Sequence, residues 1–344
     1  MQRPNVLPAR TAPSQSAQNI PPGWSYNPSA WRERRPLIAL AVVGLGAALY
    51  TTLSQLGVVP AMWDPFFGSA SSYAVTHSAL ARLLPIPDGL LGVAGYVCDL
   101  VFGAIGGEDR WRRRPWAVLA FAIAIIGLGV VSLVLTIFQG TVIGQWCTVC
   151  LVSAAVSTLI LGLGIGEALA SLQYLGRVHI ELGANATWHA LWGTRGAWRL
   201  EPTDWMWMRG VATTRQDRLP DIGMLLQVIV IAVGIWLMAA PAVLPSTAPG
   251  AVMVRIAGPV VAWVGVLALR GVTRSFRALN IVSGMFLTIA PWSVPNTGPL
   301  ILTSVLAGCA IIILTIPRGV VHQRTGGGWW ATVHPELISH SLAD

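Results

Sequence analysis

Residues Pro115 to Gly166 read PWAVLAFAIAIIGLGVVSLVLTIF, then QGT, then VIGQWCTVCLVSAAVSTLILGLGIG: 52 consecutive residues without a charged side chain. A helix crossing the ~30 Å hydrocarbon core of a bilayer needs about 20 apolar residues. The stretch therefore holds two spans, with the polar break at Gln139-Gly140-Thr141 and the nearby Gly144 supplying the turn. Upstream lie Leu37–Leu56, uncharged throughout, and Gly89–Gly106, interrupted by Asp99. Downstream come Ile222–Leu244, Ala251–Leu269, Ala278–Pro291 and Leu300–Ile316. The last two reach only roughly 21–25 Å at 1.5 Å per residue. The expectation is an all-α integral membrane protein of about eight spans, a four-helix bundle followed by two transmembrane helical hairpins.

Composition agrees. Hydrophobic residues make up 54% of the chain and charged residues 10%, and mean hydropathy is +0.64. Soluble domains carry about 25% charged residues, which excludes an ordinary soluble enzyme. A net charge of +8 would suit a nucleic-acid reader, but the placement of the basic residues argues otherwise. All 22 are arginines, and 20 of them fall in 1–36, 107–114, 168–220, 270–277 and 317–344, leaving only Arg82 and Arg255 on the other side. This is the positive-inside pattern, with both termini cytoplasmic and a multi-pass location in a bacterial plasma (inner) membrane. Residues 1–36, rich in Pro, Ser, Asn and Gln, read as a disordered cytoplasmic tail, and 318–344 as a second tail. The segment 171–220 sets Trp188, Trp192, Trp198, Trp205 and Trp207 among arginines, the pattern of an amphipathic helix in the headgroup region.

A shift of 50 residues aligns Gly234 with Gly284, Leu237 with Leu287, Ala240-Pro241 with Ala290-Pro291, Pro245 with Pro295, Thr247 with Thr297 and Gly258 with Gly308. Fixed-period similarity marks duplicated units, here two helical hairpins over 221–317 with turns of about ten residues. The run from Gly284 to Ala290-Pro291-Trp292 resembles the SPW-motif membrane repeat. These helices contain no carboxylate and no histidine, so this half is read as structural or oligomer-forming. Cys309, in an apolar run, reads as a packed core residue.

The chemistry concentrates at Trp146-Cys147-Thr148-Val149-Cys150, where the fourth apolar helix begins on the outer side. Two cysteines one helical turn apart can close a disulfide, and a helix N-terminus stabilises a thiolate on the first. The same spacing serves half a metal site or a structural disulfide. His77 is the only histidine on the outer side, and no metal is expected.

The segments Asp64-Pro65-Phe66-Phe67-Gly68, Ser72 to Ser78, Leu84-Pro85-Ile86-Pro87-Asp88 and Leu91-Gly92-Val93-Ala94-Gly95-Tyr96 precede that CxxC in order. Together, over about 37–172, with a bundle domain over 37–170, they resemble the vitamin K epoxide reductase family. The resemblance implies a four-helix membrane bundle around a quinone, menaquinone or ubiquinone, as electron acceptor, capped by the first outer loop. It implies that Cys150 faces the quinone and that Cys147 exchanges with it. It further implies that Ser78 hydrogen-bonds near the quinone carbonyl and that Gly92 and Tyr96 lie on the pocket side. The activity implied is a membrane quinone-linked thiol–disulfide oxidoreductase, served by a thioredoxin-like or other outer-side thiol donor. Local turn capping is the competing role for Ser78, core packing for Tyr96, and simple solvation for His77.

One departure stands out. The family's second cysteine pair, in the outer loop, is missing: Ser72 and Trp63 stand at the matching places. Three readings stay open: a thiol reaches Cys147 directly; a quinone or lipid site persists in a redox-inactive scaffold; or the CxxC is a structural staple. Asp88 is expected to N-cap the second helix. Asp99, costly inside a span, is expected to pair with an arginine of Arg112-Arg113-Arg114. Cys98 is expected within the second helix toward the inner face, away from the redox pair.

Overall fold

The computed structural model describes residues 19–82, 85–193, 222–317 and 325–333. The longer helices are α1 (Trp31–Gln55), α2 (Ser69–Thr76), α3 (Asp88–Ala104), α4 (Pro115–Phe138) and α5 (Thr148–Trp192). They are followed by α6 (Ile222–Val243), α7 (Ala248–Leu267), α8 (Arg277–Ile289) and α9 (Gly298–Thr315). Among the described residues, six helices are long and apolar enough to cross a membrane: α1, α4 with its π-helical extension, α5, α6, α7 and α9. The other two candidates are shorter: α3 has 17 residues and α8 has 13, the latter prolonged by 3-10 turns at Gly271–Phe276 and Ala290–Trp292.

Helices α1, α3, α4 and α5 form the first bundle, with α3 laid on α1 and α4 on α5. Small residues let the backbones close in. Gly44 receives the Tyr96 ring, which a Cβ there would meet. Gly129 accommodates Leu161, and Gly164 accommodates Phe121 and Ile125.

The end of the first bundle opposite the CxxC is more ordered than its composition suggests. Helix α1 begins at Trp31 rather than Leu37, and the stretch before it is packed: Trp24 is 1% exposed. Trp24 donates its ring N–H to Gln173 Oε1 at 2.8 Å. The amide of Gln173 in turn donates to the carbonyls of Thr325, Gly326 and Gly328 at 3.1, 3.2 and 2.9 Å. Residues 19–30 and 325–332 therefore cover the bundle and are not loose tails; 1–18, 318–324 and 334–344 lie outside the described residues. Buried Arg34 donates at 2.8 Å to the carbonyl of Gly103 in the last turn of α3, satisfying a group a helix end leaves orphaned, and at 2.9 Å to that of Gly106 just beyond it. Arg110 pairs in bidentate fashion with Glu167, which also accepts from Ser29. Asp99 does not join this network. Its carboxylate oxygens are buried with no hydrogen-bond partner among the described residues, so the expected arginine pair is not formed.

The segment from 171 onward is also different. Helix α5 continues unbroken through Leu182, burying Ser171, Gln173, Tyr174, Arg177 and Val178, and only then kinks at Gly183 (φ 81°). Beyond the kink Trp188 and Trp192 are exposed, edge to face at 5.6 Å. Trp198, Trp205 and Trp207 lie outside the described residues.

In the second half, α6 pairs with α7 and α8 with α9. A Cβ on Gly234 would lie 2.9 Å from the Gly258 carbonyl, and one on Gly284 2.9 Å from the Gly308 carbonyl. The turns, 244–247 and 293–297, are shorter than the sequence suggests and clasp each other: Thr247 Oγ1 donates to the Pro295 carbonyl, Thr297 Oγ1 to that of Pro245. Cys309 is exposed on α9, not packed in a core. Helix α7 touches α4, α5 and the turn between them.

Candidate active site

Helix α4 runs into a π-helical turn, Gln139–Ile143, closed by Gly144 at φ 69°. Such π turns favour functional sites. The chain then extends through Trp146 and Cys147 before α5 starts at Thr148, with Cys147 as N-cap. Cys147 and Cys150 form a disulfide. The Cys150 N–H donates to Cys147 Sγ at 3.2 Å, and the Cys147 N–H donates to Gln139 Oε1 at 3.1 Å.

The two sulfurs face different surroundings. Cys147 is 0% exposed, enclosed by Met62, Val75, Tyr50 and Ile143. Cys150 sits on the wall of a cavity of about 480 Å³. Its exposed rim is Leu91 and Cys98 of α3 with Gly127 and Val131 of α4, so it opens sideways between those helices. Cys98 thus shares the cavity with the disulfide.

Ser78 and Gly92 line this cavity together with Cys150. Ser78 also caps its own turn, accepting from the Ala81 N–H at 3.3 Å. Gly92 leaves room that a side chain would take, its Cβ position already 3.3 Å from that of Ala48. Tyr96 is the exception. It is 0% exposed and packed in the bundle core, away from the wall; its hydroxyl donates to the Ser153 carbonyl at 2.8 Å, and Ser153 is the residue that reaches the cavity. Asp88 is the first residue of α3 and not its cap; its carboxylate accepts from Gln55 Nε2 and lines the cavity. His77 stacks on Tyr73 and lines a separate cleft of about 170 Å³.

The loop between α1 and α3 is fastened over Cys147 by hydrogen bonds. Asp64, 8% exposed, accepts from the backbone N–H of Phe66 (3.0 Å), Phe67 (2.8 Å) and Thr148 (2.8 Å). It also accepts from the hydroxyls of Thr148 and Ser72. Burial pushes this carboxyl up, but the donations from Ser72, Thr148 and Phe67 outweigh it and hold the group well below the usual carboxylate range. Ser71 donates to the Trp146 carbonyl at 2.7 Å and accepts from its N–H at 3.2 Å. Ser72, which stands where the resemblance expects a cysteine, is therefore a fixed link between the loop and the start of α5.

Two contributors were not picked out from sequence, Asp64 as the clasp and Gln139 as the acceptor for Cys147. Asp-Pro at a turn start is a signal for the first; a lone amide in an apolar run is a weak one for the second.

In comparison with known families, residues 35–165 match the model of the vitamin K epoxide reductase family. No curated protein and no solved structure matches the chain. The matched residues hold the four-helix bundle, the loop between α1 and α3, the cavity and the disulfide.

Proposed function

We propose that this protein passes electrons from thiols at the outer membrane face, through Cys147 and Cys150, to a membrane quinone of the menaquinone or ubiquinone class. The observation that carries the reading is the placement of Cys150 on the wall of a lipid-facing cavity shared with Ser78 and Gly92. Small-ligand sites span about 300–1,000 Å³, mostly apolar with a few polar groups, and this cavity fits that description. Hydroxyls of Ser78, Ser132 and Ser153 are available to a quinone carbonyl.

In the reductive step a dithiol substrate closes to its own disulfide, the Cys147–Cys150 bond breaks, and two electrons and two protons pass to the pair. In the oxidative step the Cys147–Cys150 bond re-forms, and those two electrons and two protons leave on the quinol. The helix N-terminus at Thr148 and the Cys150 N–H favour the thiolate of Cys147 in between.

The burial of Cys147 favours a second reading, a quinone- or lipid-binding scaffold with a structural disulfide. Quinone-dependent oxidation of reduced dithiothreitol by the purified protein in liposomes separates the two. Turnover abolished in Cys147→Ser and Cys150→Ser supports the oxidoreductase. Quinone binding with no turnover above these variants supports the scaffold.

A further inference from the structure

The hairpin half meets the first bundle through an Arg270–Glu33 ion pair at one end and, next to the CxxC, through Arg255. Arg255 lies seven residues into α7, roughly 10 Å along its axis at 1.5 Å per residue. An arginine at such a depth is costly unless it has work to do. It has no carboxylate partner among the described residues. Its Nη1 donates to the carbonyl of Gly140 at 3.0 Å, and its buried Nε has no partner there. Gly140 belongs to the π turn that precedes the CxxC. A Cβ on Gly140 would lie 2.8 Å from the Trp146 ring and 3.4 Å from the Arg255 Cβ, so the glycine is gripped between the two. The neighbouring Gln139 holds the Cys147 N–H and lines the cavity.

We propose that Arg255 is a positioning residue for the redox pair: by holding the Gly140 carbonyl, the hairpin half fixes the turn whose Gln139 sets the backbone of Cys147. This assigns the attached hairpins a part in the redox step, and it rests on the reading of Cys147–Cys150 as a working redox pair. A π turn whose free carbonyl has lost its donor relaxes, and Gln139 and the extended Trp146–Cys147 segment move with it.

The test uses the full-length protein in detergent. Its pair is equilibrated with mixtures of reduced and oxidised dithiothreitol, and the reduced pair is alkylated with iodoacetamide across a pH series. Arg255→Gln is expected to displace the thiol–disulfide equilibrium by at least about fivefold and to shift the alkylation pH profile. Arg255→Lys, which keeps a donor, restores most of both. Arg277→Gln, at the inner end where Arg277 donates to the Pro317 carbonyl, keeps wild-type values. Wild-type equilibrium and pH profile in Arg255→Gln overturn the proposal, as does an equal shift in Arg277→Gln. Should Arg255→Gln not accumulate folded, Gly140→Ala disturbs the same grip from the bundle side; wild-type values there overturn it too. Because the readout is the pair itself, a wild type that equilibrates with dithiothreitol but does not reduce quinone refutes the electron-transfer reading separately.

Discussion

Replacing Asp64 by alanine opens the loop over Cys147. The carboxylate accepts five hydrogen bonds, of which two, from Phe66 and Phe67, stay within its own turn. The other three join loop, Ser72 and the start of α5. A hydrogen bond to a charged group contributes about 1.5–3 kcal/mol, and bonds sharing one acceptor add less than their sum. Closure is therefore weakened by roughly 3–5 kcal/mol, or roughly a hundredfold to several thousandfold in the population of open loop at 1.36 kcal/mol per decade. Cys147 is sealed when the loop is closed, and a charged phosphine does not enter the lipid-side cavity. The assay is reduction of the disulfide by a water-soluble phosphine in nanodiscs, read by mass after alkylation. Asp64→Ala is expected to react at least about a hundred times faster than wild type. A rate within about threefold of wild type refutes the idea that these bonds limit access. Because the folded carboxyl is held below its unfolded value, its contribution is complete above the unfolded value and is lost only as pH falls through the folded one. Wild-type opening is accordingly constant from about pH 8 to about pH 5 and rises only in stronger acid.

Three further outcomes are expected. Gly92→Leu fills space between Ala48 and the cavity and raises the KM for quinone by at least about tenfold, a loss of about 1.4 kcal/mol, while the disulfide still forms; unchanged KM places the quinone elsewhere. A membrane-permeant maleimide labels Cys98 from the cavity, and added quinone slows the labelling; labelling indifferent to quinone refutes shared occupancy. Arg110→Gln strands Glu167, which is 3% exposed, and costs about 3–5 kcal/mol, measured by denaturant unfolding in mixed micelles against Arg113→Gln, which removes an exposed guanidinium from half-buried Asp109.

Long apolar runs were readable because hydrocarbon demands unbroken stretches of apolar residues, and Pro115–Gly166 could be nothing else. The CxxC was readable because its spacing is local. Residues 19–30 were misjudged for the opposite reason: a polar, proline-rich stretch takes its order from distant partners such as Gln173 and Gly326, which no local window contains. Asp99 was assigned a partner from its charge alone, yet packing left it without one. Tyr96 shows the limit at the site itself. Helical spacing puts it on the same helix as Gly92, but a ring-sized notch at Gly44 draws it into the core, so that Ser153 stands at the wall in its stead. Asp64 and Gln139 act through donors 84 and eight residues away, one too remote and the other too unremarkable to be seen in a pattern.

The grip of Gln173 on Thr325, Gly326 and Gly328 also has a temporal side. The floor of the first bundle, opposite the CxxC, includes backbone synthesised after both hairpins, so that bundle cannot be finished while the ribosome is still making them. Its Trp24 and Gln173 wait, part-solvated, until the glycine turn emerges. Emergence of that turn is the step that closes the floor, and a stop anywhere in the hairpins leaves Trp24 and Gln173 without their cover.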